Sequence, residues 1–290
     1  DEAIDIVNEV DYGLTSGLHS LDRDEIAIWL DRVRAGNLYV NRGITGAIVG
    51  RQPFGGWKRS AVGPGAKAGG VNYLVPLGSW RSTPAEAGIT PTNREVDALL
   101  ERSRPYLSEA EQASLQRSAA SDAKQWRDHF NAPCDRSSLE AEHNVARYVR
   151  HPVPLTVRFG AGAPAGLVRV VVAAATTGAR VALSLAPQAI VGDALQGVLR
   201  STASVLSLEL EDDASFASRL CSLDGGRVRL IGAEPSAIAE AIAGRADIAV
   251  YSSPVTEAGR VELLPFLREQ TVSVTAHRFG MPSQFLDHLI

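Results

Sequence analysis

Apolar residues near the start of the chain follow the period of an α-helix. The spacing predicts a short amphipathic helix over about residues 2–9 and a longer one over residues 23–35. The longer helix carries apolar side chains at i, i+3, i+4 and i+7, namely Ile26, Trp29, Leu30 and Val33. Asp22 has the residue type and position of an N-cap, and Gly36 is expected to end the helix.

Strand-like segments surround a long loop in the same part of the chain. Ser16–Ser20 predicts a strand, and Asn37–Asn41 predicts a buried one. Residues 42–70 are rich in glycine and predict a loop. Val71–Leu77 predicts a further strand, which Pro76 would confine to the edge of a sheet. Residues 1–80 therefore form the first predicted block.

Residues 81–150 form a second block, rich in Arg, Glu, Ala and Ser and interrupted by prolines. Helical spacing around residues 96–100 and 107–130 predicts a linker followed by two or three helices. Glu142 and His143 are also placed on a helix, as residues of its surface or of an interface.

Strands and helices alternate from residue 151 to residue 290. The predicted strands are Leu155–Phe159, Arg180–Leu185, Val205–Leu210, Val228–Ile231, Ile248–Tyr251 and Ser273–Ala276. The predicted helices are Gly166–Thr177, Gly192–Arg200, Ala214–Cys221, Pro235–Ala243 and Val261–Glu269. This alternation indicates βαβ units and a mainly parallel sheet. The fold class is therefore α/β, with a Rossmann-like domain over residues 151–290.

Composition and charge exclude several classes of protein. The chain is 45% hydrophobic and 21% charged, and its net charge of −4 gives no basic field to attract nucleic acid. Cys134 and Cys221 lie far apart, and neither the cysteines nor the histidines have metal-binding spacing. No apolar run reaches the ~18 residues of a membrane span. The first residues are acidic and begin as if in mid-helix, which predicts a piece of a longer, cytoplasmic protein.

The glycine-rich loop is the strongest candidate for a binding site. Residues 45–60 contain several glycines, which can expose backbone N–H groups to a ligand, and Phe54 offers an apolar wall beside them. Such a nest and wall would suit a small molecule with a carboxylate at one end and an aliphatic chain. A surface loop whose glycines serve only its turns is the alternative.

A second glycine-rich turn, Gly160–Gly166, follows a predicted strand and precedes a helix. This context is typical of a phosphate-binding turn. The spacing is GxGxxxG, however, and no acidic residue closes the next strand, Arg180–Leu185, to bind a ribose. A vestigial turn is favoured over a working dinucleotide site.

Three motifs, in order, resemble the last catalytic-domain segment of the aldehyde dehydrogenase superfamily: Tyr12–Gly17, Gly36–Asn41 and Pro53–Ser60. The insert Arg42–Gly50 resembles the aldehyde-anchor loop of the glutamate-semialdehyde dehydrogenases of that superfamily. This resemblance implies that the backbone N–H groups of Gly46 and Ala47 hold the substrate α-carboxylate. It also implies that Phe54 contacts the aliphatic chain of the substrate.

Two later segments, Glu142–Tyr148 and Arg268–Arg278, resemble the C-terminal domain of longer proline utilisation A proteins. In that family the domain is a degenerate relative of the cofactor domain, associated with assembly. The family's counterpart of Val71–Trp80 tends to form a strand that reaches a partner or the C-terminal domain, and on this resemblance a homo-oligomer is expected.

Superfamily members use a cysteine nucleophile in a Gly-Gln-x-Cys-like context, and neither Cys134 nor Cys221 has it. The nucleophile, its glutamate base and most of the NAD site are therefore expected upstream, and the fragment alone is expected to be inactive. No catalytic, cofactor-binding or metal-binding residue is assigned within the chain. Whether FAD binds a separate proline dehydrogenase domain upstream is left open.

Three functions compete on this evidence. The first is NAD-dependent oxidation of L-glutamate γ-semialdehyde by the full-length parent, with the small-molecule aldehyde as substrate. The second is a non-catalytic structural or oligomerisation module in residues 81–290 that covers an active site. The third is a working dinucleotide-binding domain over residues 151–290, against which the missing acidic residue argues.

Overall fold

The computed structural model describes residues 1–81, 83, 91–223 and 225–284. Residues 84–90 of the predicted linker lie outside this described part. Residue contacts divide the chain into two compact units. Unit 1 contains Asp1–Leu77, Phe130–Val149 and the residues from Arg268 onward, and unit 2 contains Gly78–His129 and Arg150–Leu267.

Helices occur in both units. The α-helices are α1 (Glu2–Glu9), α2 (Arg23–Arg32), α3 (Arg94–Ser103), α4 (Glu109–Gln125), α5 (Pro164–Thr177), α6 (Asp193–Arg200), α7 (Asp213–Cys221), α8 (Pro235–Ile242) and α9 (Gly259–Glu262). Short 3-10 turns occupy Val75–Leu77, Arg104–Tyr106 and Leu264–Phe266, and a π-helical turn occupies Trp126–Phe130.

The strands form two five-stranded sheets and two small hairpin-like pairs. They are β1 (Tyr12–Gly13), β2 (Thr15–Leu18), β3 (Asn37–Val40), β4 (Trp57–Lys58), β5 (Cys134–Asp135), β6 (Glu142–Arg150), β7 (Leu155–Phe159), β8 (Val181–Leu185), β9 (Val205–Leu210), β10 (Gly226–Ile231), β11 (Ile248–Tyr251), β12 (Leu267–Thr275), β13 (His277–Arg278) and β14 (Met281–Pro282).

Unit 1 is built on a sheet of order β2-β3-β12-β6-β5. Strands β2, β3 and β12 run parallel, with Leu38 of β3 in register with Ser16 on one side and Val272 on the other. Every residue of β3 is buried, as expected for a parallel strand covered on both faces. The core around it contains Ile26, Trp29, Leu30, Leu38, Val40, Val272 and Val274.

The N-terminus of α2 agrees with its prediction, and its C-terminus does not. The carboxylate of Asp22 accepts hydrogen bonds from the backbone N–H groups of Asp24 and Glu25. The helix ends at Arg32, however, before Gly36. Gly36 is required for close packing instead, because a Cβ there would lie 2.1 Å from the carbonyl oxygen of Gly55.

Unit 2 is built on a sheet of order β11-β10-β7-β8-β9, in which all four pairings are parallel. Numbered along the chain this order is 3-2-1-4-5, that of the doubly wound dinucleotide-binding fold without its sixth strand, and the switch point lies between β7 and β10. Helix α5 is buried along most of its length beside this sheet, and α3 and α4 contact it. The prediction of a Rossmann-like, mainly parallel α/β domain is confirmed.

Two predicted elements in unit 1 have the wrong secondary structure. Glu142 and His143 lie on strand β6 rather than on a helix. The segment contains Val and Tyr, which favour strands, and it pairs with β12 on one side and β5 on the other. Val71–Leu77 is a series of turns ending in 3-10 helix rather than an edge strand. Its backbone N–H groups are bonded within the segment, for example from Val75 to the Asn72 carbonyl oxygen.

The sequential domain boundaries at residues 80 and 150 also differ from the observed grouping. Phe130–Val149 and the chain from Arg268 onward join the sheet of residues 1–77. The predicted helix Val261–Glu269 is a single turn, and the strand after it begins at Leu267. Local patterns indicate that a segment is extended, but they do not indicate which sheet it enters.

Two findings on the described residues bear on function classes. None of the helices in residues 1–81, 83, 91–223 and 225–284 has the length and apolar character needed to cross a membrane. Across the same residues, no three His, Cys, Asp or Glu side chains come together as a metal site would require.

Candidate functional site

The predicted anchor residues Gly46 and Ala47 lie on the loop between β3 and β4 in unit 1. Both are exposed, and Gly46 has a φ of +81°, a conformation that favours glycine. Among the described residues, nothing accepts a hydrogen bond from either backbone N–H group. Two adjacent N–H groups are therefore available to an anion at this position.

The base of this loop is held by buried polar contacts. The backbone N–H of Ile48 donates to Gln52 Oε1 at 2.7 Å, and Gln52 Nε2 donates to Asn144 Oδ1 of β6 at 2.7 Å. Gln52 and Asn144 are each 2% exposed. The loop is thus tied to a strand that the sequence places far away.

Two arginines of the loop bind one carboxylate of β6. Arg42 and Arg51 lie 2.9 and 3.1 Å from the oxygens of Glu142. Burial opposes ionisation of Glu142, but the hydrogen bond from Asn144 and the Arg42 guanidinium lower its pKa below the usual range. This ionised carboxylate offsets one of the two guanidinium charges beside the loop.

Phe54, the predicted apolar wall, is half-buried on the returning limb of the loop. Its N–H donates to the carbonyl oxygen of Ala68 at 3.0 Å, and Ala68 N–H donates back at 2.9 Å. The preceding carbonyl, that of Pro53, accepts from Asn37 Nδ2 at 3.1 Å and from Thr271 Oγ1 of β12 at 2.8 Å. The backbone at Phe54 is therefore fixed by strands β3 and β12 and by the segment that follows β4.

The segment that follows β4 contains a buried lysine that the sequence analysis did not single out. Lys67 is 2% exposed, and Glu269 of β12 accepts a hydrogen bond from its backbone N–H at 2.9 Å. Burial lowers the pKa of Lys67 to about 7, and the charge of Glu269 opposes this shift. No local pattern distinguishes Lys67 from a surface lysine, because the groups around it come from other segments of the chain, and Glu269 lies 202 positions away.

Trp57, at the end of the third motif, is bound to the same strand. Its Nε1 donates to the carbonyl oxygen of Glu269 at 2.8 Å, and the guanidinium of Arg268 lies 3.9 Å from the centre of its ring system. Strand β4 also pairs with β1, which joins the first motif to the third. The three motifs and the segment Arg268–Thr275 thus form one structure around the loop.

The second glycine-rich turn lies at the switch point of the unit 2 sheet. Gly160 N–H donates to the carbonyl oxygen of Ile231 at 2.9 Å, and a Cβ at Gly232 would lie 2.0 Å from the carbonyl oxygen of Ala161. The loops after β7 and β10 are therefore in backbone contact where a dinucleotide would enter a working site. This contact favours a vestigial turn, which stays a prediction.

A buried ion pair joins α4 to α5 in unit 2. Arg169 Nη1 and Nη2 donate to the two oxygens of Asp122 at 2.7 Å each, and Arg169 Nε donates to the Thr256 carbonyl oxygen at 2.9 Å. Burial raises the pKa of Asp122 to about 6, although Arg169 opposes the shift. Arg169 also borders a cavity of 410 Å³. The pair is satisfied on both sides, which fits a structural role.

Comparison with known proteins places the first part of the chain in a family. Residues 1–75 match the model of the aldehyde dehydrogenase family. Over 75 residues, 26% of the chain, it is 51% identical to the 1-pyrroline-5-carboxylate dehydrogenase of Bacillus thuringiensis (strain Al Hakam) and covers 14% of that protein.

Longer matches extend over both units. The chain is 32% identical over 240 residues to the bifunctional protein PutA of Rhizobium meliloti, covering 80% of this chain and 18% of that protein. The structure of proline utilization A (PutA) from Corynebacterium freiburgense matches with a TM-score of 0.71 and 35% identity, covering 97% of this chain and 24% of that one. The chain thus spans less than a quarter of these relatives. Their similarity confirms the resemblance that the motifs indicated: residues 1–75 resemble the aldehyde dehydrogenase family, and the chain as a whole resembles part of a protein of the proline utilisation A type.

Proposed function

We propose that the full-length protein oxidises L-glutamate γ-semialdehyde to L-glutamate in proline catabolism, with NAD as the oxidant. In this proposal the present chain contributes part of the substrate site and not the nucleophile. Support comes from relatives named 1-pyrroline-5-carboxylate dehydrogenase and PutA, which this chain resembles over the loop and beyond it.

The observation that carries the proposal is the pair of available N–H groups at Gly46 and Ala47. An α-carboxylate presents an anion that two adjacent backbone donors can bind, and hydrogen bonds to charged groups are worth about 1.5–3 kcal/mol. Phe54, on the same loop, would contact the three-carbon aliphatic part of the substrate. A neutral aldehyde would gain nothing from the donors at Gly46 and Ala47.

The nucleophile is proposed to come from outside this chain. Cys134 lies on β5, and Cys221 ends α7 with its thiol donating to the Ala241 carbonyl oxygen at 3.1 Å. Both are exposed and lie outside the anchor loop. A thiolate supplied elsewhere would attack the aldehyde carbon, NAD would supply the two-electron oxidation that converts the adduct to a thioester, and water would then hydrolyse the thioester.

The described residues do not fit NAD. The strand β8 ends in Ser184 and Leu185 rather than in an acidic residue, and the loops after β7 and β10 are in backbone contact. No step of the reaction is therefore assigned to NAD within this chain. The matched R. meliloti PutA is named bifunctional, so we include an FAD-binding proline dehydrogenase domain in the proposal; a flavin absorption spectrum of the purified full-length protein tests it.

The primary experiment compares NADH production by the full-length protein with glutamate semialdehyde and with a neutral aldehyde of similar length. We expect a strong preference for the semialdehyde. Ala47→Pro removes one N–H donor and is expected to raise KM for the semialdehyde about tenfold or more, as for a hydrogen bond to a charged group. The KM for the neutral aldehyde should stay the same.

Ala47→Ser keeps the donor and serves as the matched control, with KM near that of the wild type. Gly46→Pro removes the other donor and also forces the backbone out of its positive φ, so its effect should be larger. Equal rates on the two aldehydes would contradict the substrate assignment and leave only the family. An unchanged KM in Ala47→Pro would remove the carboxylate from this position.

The second candidate function is structural, and unit 2 favours it. Its sheet has the order of a nucleotide-binding fold, yet the entrance at the switch point is filled by backbone contact at Gly232. We infer that unit 2 takes part in oligomer assembly or covers an active site and has no catalytic role. We also infer that the protein is a homo-oligomer in the cytoplasm. Val71, Leu74 and Leu77 are 44%, 72% and 70% exposed and would be covered in an oligomer. Sedimentation of a monomer at all concentrations would contradict the oligomer.

A further inference from the structure

The side chain of Lys67 ends among three oxygen atoms inside unit 1. Its Nζ donates to the carbonyl oxygen of Gly36 at 2.9 Å, to Asn37 Oδ1 at 2.9 Å and to the carbonyl oxygen of Gly55 at 2.5 Å. An ammonium group has three N–H donors and no acceptor. Three acceptors at hydrogen-bonding distance therefore satisfy it completely, which a buried cation requires.

Two of these acceptors, the Gly55 carbonyl oxygen and Asn37 Oδ1, are connected to the backbone around Phe54. Gly55 directly follows Phe54, and Asn37 Oδ1 also accepts from the Gly55 N–H at 3.2 Å. Asn37 Nδ2 donates to the carbonyl oxygen of Pro53. Asn37 thus holds the peptide groups on both sides of Phe54, and Lys67 holds Asn37 and the following carbonyl, that of Gly55. Ala68, the neighbour of Lys67, pairs with Phe54 itself.

Glu269 fixes the segment from which Lys67 projects. One oxygen of its carboxylate accepts from the Lys67 N–H at 2.9 Å, and the other accepts from Asn72 Nδ2 at 2.5 Å. Asn72 Nδ2 also donates to the hydroxyl oxygen of Tyr148 on β6 at 2.9 Å. The negative charge of Glu269 acts on the Lys67 ammonium as well. Glu269 of strand β12 therefore fixes the backbone position of Lys67, and its negative charge stabilises the protonated form of Lys67.

We propose that Lys67, held by Glu269, is a positioning residue that fixes the Asn37 side chain and the Gly55 carbonyl, and through Asn37 the backbone on both sides of Phe54, and so sets the affinity of the site for the aliphatic chain of the aldehyde. This proposal rests on the proposed function for its substrate, but its structural part does not. Neither side chain needs to touch the substrate. The effect is therefore expected in substrate binding rather than in the chemical step.

The experiment uses the full-length protein with three substitutions. Lys67→Met keeps the length and apolar stem of the side chain and removes the three donors. Glu269→Gln keeps the shape of the carboxylate and removes its charge. Lys124→Met is the control, because Lys124 lies on α4 of unit 2, outside the loop and its supporting strands, and its Nζ donates to the Asp128 carboxylate.

Lys67→Met is expected to raise KM for glutamate semialdehyde about tenfold while kcat changes less than about twofold, the signature of lost binding rather than lost chemistry. Glu269→Gln should shift KM in the same direction by a smaller factor, and Lys124→Met should leave both constants unchanged. Hydrogen exchange should accelerate at the amides of Phe54 and Gly55 in Lys67→Met. A folded Lys67→Met protein with unchanged KM would overturn the proposal.

The remaining outcomes are also decisive. If Lys67→Met does not fold, Glu269→Gln decides, and an unchanged KM in that variant overturns the proposal. If kcat falls as much as kcat/KM with KM unchanged, the residue acts on chemistry and the positioning role is wrong. If the wild type does not prefer the semialdehyde, the proposed function fails, and hydrogen exchange still tests Lys67: unchanged exchange at Phe54 and Gly55 overturns its role.

Discussion

Replacing Arg169 by methionine would leave the carboxylate of Asp122 buried without its partner in unit 2. The Asp122 side chain is fully buried and that of Arg169 is 3% exposed, and the two share two hydrogen bonds of 2.7 Å. Breaking such a pair from one side costs about 3–5 kcal/mol. For a unit of this size that corresponds to a fall in the unfolding midpoint of about 6–20 °C, at roughly 2–4 °C per kcal/mol.

The effect should depend on pH in a defined direction. Burial already raises the pKa of Asp122 to about 6 in the folded protein, and removal of the Arg169 guanidinium should raise it further. The folded state then holds a proton that the unfolded state releases above about pH 4. A raised folded pKa contributes stability that is present at low pH and is lost as pH rises through that pKa. Arg169→Met should therefore be closer to wild type at pH 5 than at pH 8.

The assay is thermal and urea unfolding of the chain at pH 5 and pH 8, with hydrogen exchange in α4 and α5 to assign the loss to unit 2. Asp122→Asn combined with Arg169→Met removes the titrating group and should abolish the recovery at pH 5. Lys124→Met breaks an exposed ion pair of α4, with Asp128, and should cause no measurable loss. A loss below about 1 kcal/mol at pH 8, or an equal loss at both pH values, would refute the reasoning.

Two further predictions concern unit 2. Gly232→Ala should destabilise the chain by more than about 2 kcal/mol, because the new Cβ would lie 2.0 Å from the Ala161 carbonyl oxygen and a φ of +60° costs a non-glycine residue about 1–2 kcal/mol. Gly244→Ala has a φ of +77° and open space around it, so it should show only the cost of the positive φ. Equal losses of stability for the two variants in urea unfolding would contradict the steric argument. Ser108→Ala should cost about 1 kcal/mol by removing the capping box with Glu111 at the start of α4, whereas Ser108→Thr should not; calorimetry that ranks the two alike would be inconsistent with a capping role.

Much of the secondary structure could be predicted because its causes are local. The strands β7 to β11 are short segments rich in Val, Leu and Ile, and helix α5 is a mostly apolar segment with proline at its start and glycine at its end. Asp22 caps α2 through donors only two and three residues away. Because the residues that make these contacts are close in sequence, the local residue pattern is sufficient to predict them.

The errors occur where distant segments decide the structure. Strand β6 was predicted as helix because its local pattern is ambiguous, and only the hydrogen bonds offered by β5 and β12 make it extended. Gly36 was predicted to end a helix, yet its small size serves the approach of Gly55. In both cases a tertiary contact overrides a plausible local interpretation.

The sequence by itself determined the α/β class, the parallel sheet of unit 2, and the loop on which Gly46, Ala47 and Phe54 lie, because glycine spacing and apolar period act within a few residues. Only the tertiary structure decided that β6 and β12 enter the sheet of unit 1. It alone also buried Lys67 among three oxygen atoms and set Glu269 beside it across 202 positions. Burial and pairing of charges depend on which segments meet in space, and that meeting is settled by the packing of the whole chain rather than by any local stretch of it.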